Sequence, residues 1–120
     1  MSQKQINALI PEAIKIAGEK LSDNGVSIAK QYNGYISAFG ASVMQAGLLP
    51  TIAFYSNESS SSEKNRIVLL EAIAALLNDT KPGERLLDYV LRKQADSRTK
   101  HNVINAAIAL KLAIRTYPKS

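Results

Sequence analysis

Cysteine and tryptophan are absent from this 120-residue chain, and histidine occurs once. Without cysteine there is no disulfide framework and no thiol chemistry, and nothing points to an oxidising compartment. The lone imidazole, His101, has no second ligand of its type at a metal-binding spacing, and it is the only imidazole available to activate a serine. The six glycines are scattered singly, so no phosphate-cradling or dinucleotide-binding loop is present. Glu12 with Glu19, and Glu84 with Asp88, sit at helical spacings but in polar surroundings that would not raise a carboxyl pKa for acid–base work. These absences exclude an obvious catalytic set, and no enzyme activity, cofactor, metal or small-molecule substrate is expected.

Long apolar runs are missing too. The longest uncharged stretch is broken by Ser, Thr, Gln and Pro, so no segment offers the ~20 apolar residues that span a bilayer. The opening MSQKQINALIPEAIK lacks the basic start and apolar core of a secretory signal. A cytoplasmic protein without membrane contact is the expectation. No segment has the alternation and flanking turns of a strand.

What the sequence does have is helical periodicity. A hydrophobic content of 46% is enough for one core in a domain of this size. Apolar positions at Ile6, Leu9, Ile10, Ala13, Ala17 and Leu21 predict a helix over 3–21, with Pro11 either kinking it or marking its first turn. Ser22-Asp23-Asn24-Gly25 is a turn. A second helix over 27–46 ends at Gly47 as a left-handed cap and places Ile28, Tyr32, Tyr35, Phe39, Val43 and Ala46 on one face. On it, Gly34, Ala38 and Ala41 form a small-residue strip that leaves room for another backbone. A short helix follows over 48–56, then a polar, structureless connection over 57–62.

Further helices are predicted over 63–78 (inward Ile67, Leu70, Ile73, Ala74 and Leu77) and 84–94 (inward Leu86, Leu87, Val90 and Leu91). The last runs from an N-cap at Asp96 or Ser97 to the neighbourhood of Tyr117 and Pro118. Aromatic residues over 32–55 are read as core. The result is an all-α, compact single-domain bundle of five or six helices covering residues 1–120, with no internal repeat.

Charge is one-sided. Residues 1–63 carry a net −1 and residues 64–120 a net +6, the footprint of a polyanion partner. On the last helix Lys100, Lys111 and Arg115 fall within an arc of roughly 60°, with Ile104 and Ile108 in the same sector. Such a line suits a phosphate backbone, although lysine and arginine stems also cover apolar surface with their heads in water. Arg85, Asp88, Arg92 and Asp96 alternate in sign as a salt-bridge ladder, from which Lys93 is offset; Arg98 follows it across the turn. Lys93, Arg98, Lys100, Lys111 and Arg115 are the candidate RNA-backbone contacts. Because no stacking aromatics are interleaved with them, binding would be backbone-directed and weakly selective.

The segment YNGYISAFGA over 32–41, followed by QAGLLPTIAFY over 45–55, resembles the hallmark of the small subunit of the Cmr complex, the type III-B CRISPR RNA-guided effector. In that family a helix ends in a Gly-Leu-Leu or Gly-Leu-Ile step and leads into an Ala-Phe-Leu or Ala-Phe-Tyr helix. The last helix of the family often carries a tryptophan before a Lys-Arg pair; here Leu112 stands near that place and only Arg115 remains of the pair. The resemblance implies a non-catalytic subunit in antiviral defence. Copies of it stack along the complex beside other Cmr subunits, with basic faces lining the channel where target RNA pairs with guide RNA. Two rivals stay open. One is a small DNA-binding regulator using Ser97 to Asn102 as a recognition helix; the other is a protein-docking adaptor using the apolar segment over 47–56.

Overall fold

The last helix, α6 (Ser97–Ile114), is the element around which the others assemble. Its alanines at 106, 107, 109 and 113 are small enough to let neighbours approach from several directions, and all four are buried. α1 (Gln3–Ile16) packs along it most extensively, with α2 (Gln31–Ala46) next and α4 (Ser61–Ala75) beyond. Val103, Leu110 and Ile114 fill the space between them and are fully buried. α3 (Leu48–Tyr55) and α5 (Leu86–Arg92) pack against α4 and against each other. The structure is a computed structural model and describes residues 3–56 and 61–119. The fold is an all-α single domain, and among the described residues it has six α-helices.

α6 begins where the sequence offers its best cap. Asp96 takes an extended backbone conformation and its Oδ1 accepts from the Thr99 amide at 2.8 Å, so Asp96 and not Ser97 is the N-cap. Thr99 N–H is one of the donors that the start of a helix leaves without an intrahelical partner.

Several elements differ from the sequence expectation, each for a physical reason. α1 continues through Pro11, which sits eight residues into the helix at an exposed position, so of the two expectations the helix that opens at Pro11 is not the one realised. The helix then widens into a π turn over Ala17–Leu21. No strands were expected, yet β1 (Ser22–Asp23) and β2 (Ser27–Ile28) form a two-residue antiparallel ladder. Its turn holds Asn24 and Gly25 at positive φ, a conformation these two residue types tolerate best. α2 consequently starts at Gln31 and not at 27. The Ile28 amide donates to the Pro118 carbonyl at 2.9 Å, tying the end of the described chain to this hairpin.

Tyr32, Phe39 and Val43 are buried on α2 as expected, joined by Ile36, while Ala46 is exposed. Gly34, Ala38 and Ala41 face outward, and a Cβ added to Gly34 would meet nothing within 4 Å. The expected close approach of a second backbone is therefore not made inside this chain. Gly47 joins α2 to α3 at φ 102° and ψ 165°, a region reserved to glycine and distinct from the left-handed helical cap that was expected. In α5 Leu86 and Val90 are buried as expected and Tyr89 joins them, while Leu91, expected in the core, is 53% exposed. Phe54 is also out of the core, at 59% exposure. The polar connection expected over 57–62 lies outside the described residues, except for Ser61 and Ser62, which already belong to α4.

Candidate nucleic-acid interface

The five cations singled out by the sequence divide into two groups on opposite sides of α6. At the ideal 100° per residue, Arg98 points well away from the line of Lys100, Lys111 and Arg115. Lys93 and Arg98 share a polar cleft with Asp79, Tyr89, Asp96 and Asn105. Lys100 and Lys111 line a different groove, between α2 and α6. Arg115 follows one turn beyond Lys111, at the C-cap of α6, and is exposed.

Lys93 does not stand free. Its ammonium donates to the Asp79 carboxylate, which also accepts from the Tyr89 hydroxyl at 2.6 Å. The Lys93 hydrogen bond first, and the Tyr89 hydroxyl second, hold the Asp79 carboxyl down to about 2. Burial first, with the Asp79 contact adding to it, pushes Tyr89 up to about 12. The expected ladder along α5 is real only in part. Arg85 pairs with Asp88 through two hydrogen bonds, at 2.9 and 3.2 Å. Arg92 instead reaches back to Glu84, at 2.9 Å through both Nε and Nη2. That fork, with the Lys81 amide as second cause, lowers the Glu84 carboxyl to about 2. Asp96, the last rung expected, is used as the helix cap, and the Thr99 amide lowers its pKa.

Asp79, Glu84, Asp88 and Asp96 are thus engaged by Lys93, Arg92, Arg85 and the α6 N-terminus. Among the described residues, Arg98, Lys100, Lys111 and Arg115 make no ion pair. The groove side of α6 holds two of these cations, and no acid is among the residues lining the groove. His101 is exposed beside Lys100 on the same rim. No group of three or more His, Cys, Asp or Glu able to hold a metal ion occurs among the described residues. Among them, too, no helix is long and apolar enough to cross a membrane.

One constellation escaped the sequence. Arg66, on α4, lies over the rings of Tyr35 and Phe54, 5.2 Å from each centroid, and 5.9 Å from that of Tyr55. A basic residue is therefore interleaved with aromatics after all, but by the packing of α2, α3 and α4. No local spacing connects the three helices, so periodicity could not reveal it.

The family model described as CRISPR-associated protein (Cas_Cmr5) matches residues 3–113. The chain belongs to that family. The match runs from the first turn of α1 to the last turn of α6, so it takes in the whole helical bundle and four of the five candidate cations, Arg115 lying just beyond it. Membership of Cas_Cmr5 makes the chain a small subunit of the type III-B Cmr complex, and other Cmr subunits are its partners. No curated protein and no solved structure matches the chain.

Proposed function

We propose that this Cas_Cmr5 subunit is non-catalytic, stacks with copies of itself along the Cmr effector in the cytoplasm, and contacts the backbone of guide and target RNA through the basic side of α6 in antiviral defence. The observation that carries this reading is the line of Lys100, Lys111 and Arg115, unpaired among the described residues, while Asp79, Glu84 and Asp88 are paired with other cations. From Lys100 to Arg115 the helix rises about 22 Å, a length over which several phosphates of one strand pass. Arg98 adds positive charge at the N-terminal corner. Lys93 shares that corner, but its charge is largely cancelled by Asp79.

Phosphates are recognised here as charge, with sequence left to base pairing between guide and target. An adaptor docking through residues 47–56 has less to offer, because Leu48, Ile52 and Tyr55 are buried and only Phe54 of the large side chains is exposed. The direct test is to purify the intact particle from cells carrying the wild-type subunit or the Lys100→Glu/Lys111→Glu/Arg115→Glu variant. Retained assembly with weakened target-RNA binding is the expected result. Unchanged target binding by a particle containing the variant would remove the RNA role.

A further inference from the structure

The groove between α2 and α6 has a chemistry that phosphate contact alone does not use. Its volume is about 470 Å3. Its floor and walls are apolar, from Ile36, Ala41, Ile104 and Ile108, and the Met44 side chain stands over it 68% exposed. Gly40 opens it further, since a Cβ there would meet nothing within 4 Å. A glycine inside a helix costs about 1 kcal/mol relative to alanine, and no contact within the chain requires this one. Lys100 and Lys111 flank the groove, about 16 Å apart along the helix axis.

We infer that this groove receives unpaired bases of a single RNA strand whose phosphates lie on Lys100 and Lys111. The inference rests on the RNA reading above and adds to it the state of the strand. The flanking cations, with no acid among the lining residues, select a polyanion. The apolar floor then decides which part of the polyanion enters. A phosphate or ribose would leave its polar groups unsatisfied against Ile104 and Ile108, whereas a base offers an apolar π-face on both sides. The thioether of Met44 is a favourable partner for such a face. The Ser37 hydroxyl and the His101 imidazole are among the groups lining the groove and can hydrogen-bond the edges of a base. Bases inside a duplex are stacked on one another and cannot enter, so duplex RNA can use only the flanking cations.

The test fills the groove without touching its charges. The full-length protein is titrated with a fluorescein-labelled 15-nucleotide RNA of mixed sequence, and separately with the same RNA annealed to its complement, with ligand taken to millimolar protein. Gly40→Leu puts a side chain into open groove space, and Gly34→Leu does the same on the open face outside it. Gly40→Leu is expected to weaken single-strand binding about tenfold while leaving duplex binding unchanged. Gly34→Leu should leave both unchanged. Equal weakening of the two forms by Gly40→Leu, or no weakening of either, overturns the inference.

The Lys100→Glu/Lys111→Glu variant should weaken both forms. If it does and Gly40→Leu does not, the groove inference fails and the RNA reading stands. If the wild-type protein binds neither form, both fall. Sedimentation of the wild type alongside Gly40→Leu closes the remaining route: a dimer that Gly40→Leu dissociates would make the groove a contact between copies and overturn its assignment to RNA.

Discussion

The Tyr117 hydroxyl occupies the space beside Gly18 that a Cβ would need: it donates to the Ile14 carbonyl at 2.8 Å, and an added Cβ at Gly18 would lie 2.5 Å from it. The π turn over Ala17–Leu21 and the end of α6 therefore meet through one phenol. Gly18→Ala should cost about 1–3 kcal/mol through this overlap, and Tyr117→Phe about 1 kcal/mol through the lost hydrogen bond. The two are not independent. In the Tyr117→Phe background the hydroxyl is gone and Gly18→Ala should cost clearly less, a coupling that urea unfolding of the four proteins would measure. Additive costs would show that the contact does not limit residue 18.

Acid should unfold the α4–α5 corner in a defined window. Asp79 and Glu84 are each held at about 2, against usual values of 3.8 and 4.5. Since the folded values lie below the unfolded ones, the stability they contribute is fully present above pH 4.5 and is lost as pH falls toward 2. Tyr89 has the opposite sign: its value of about 12 exceeds the usual 10.0, so its contribution persists up to pH 10 and disappears between 10 and 12. Thermal melts across pH should show Tm falling on both flanks. Asp79→Asn should flatten the acid limb and Tyr89→Phe the alkaline one. An acid limb of unchanged slope in Asp79→Asn would contradict the assignment.

The start of α6 gives a third prediction. Asp96→Ala removes the acceptor of the Thr99 amide and should cost about 1 kcal/mol of stability. Ser97→Ala, on the residue that the sequence offered as the alternative cap, should stay within about 0.5 kcal/mol of wild type. Equal effects in a denaturant titration would mean that the cap is shared.

These contrasts show how much of the molecule its sequence discloses. The helices, the burial of Phe39, Val43, Ile73 and Val90, and the start of α6 at Asp96 or Ser97 follow from periodicity and local residue chemistry. Resemblance in the segment over 32–55 points to the family that the match over 3–113 establishes. What stays hidden depends on partners distant in sequence. Arg92 chooses Glu84 over the helical neighbours Asp88 and Asp96 because the turn after Lys81 folds Glu84 back beside it. Lys93 finds Asp79 for the same reason. The five candidate cations look like one set along the chain, yet Lys93 and Arg98 lie on one side of α6 and Lys100 and Lys111 on another. The groove is invisible in either helix alone, since α2 supplies Gly40, Ala41 and Met44 and α6 supplies Ile104 and Ile108.

The division of the cations carries a last prediction, read in the salt dependence of RNA binding. Each phosphate contact with a single strand releases counterions and contributes about 0.7 to the slope of log K against log salt. Lys111→Ala and Arg115→Ala should each lower the slope magnitude by about that amount. Lys93→Ala should change it far less, because the charge removed is already balanced by the Asp79 carboxylate in the free protein. Asp79→Asn sharpens the comparison. It releases Lys93 from its partner, so affinity and slope should both rise if the α5–α6 corner faces RNA, and both should stay at wild-type values if only the groove side does. Equal slopes for Lys93→Ala and Lys111→Ala would show that the ion pair opens on binding and that the two sides of α6 act together.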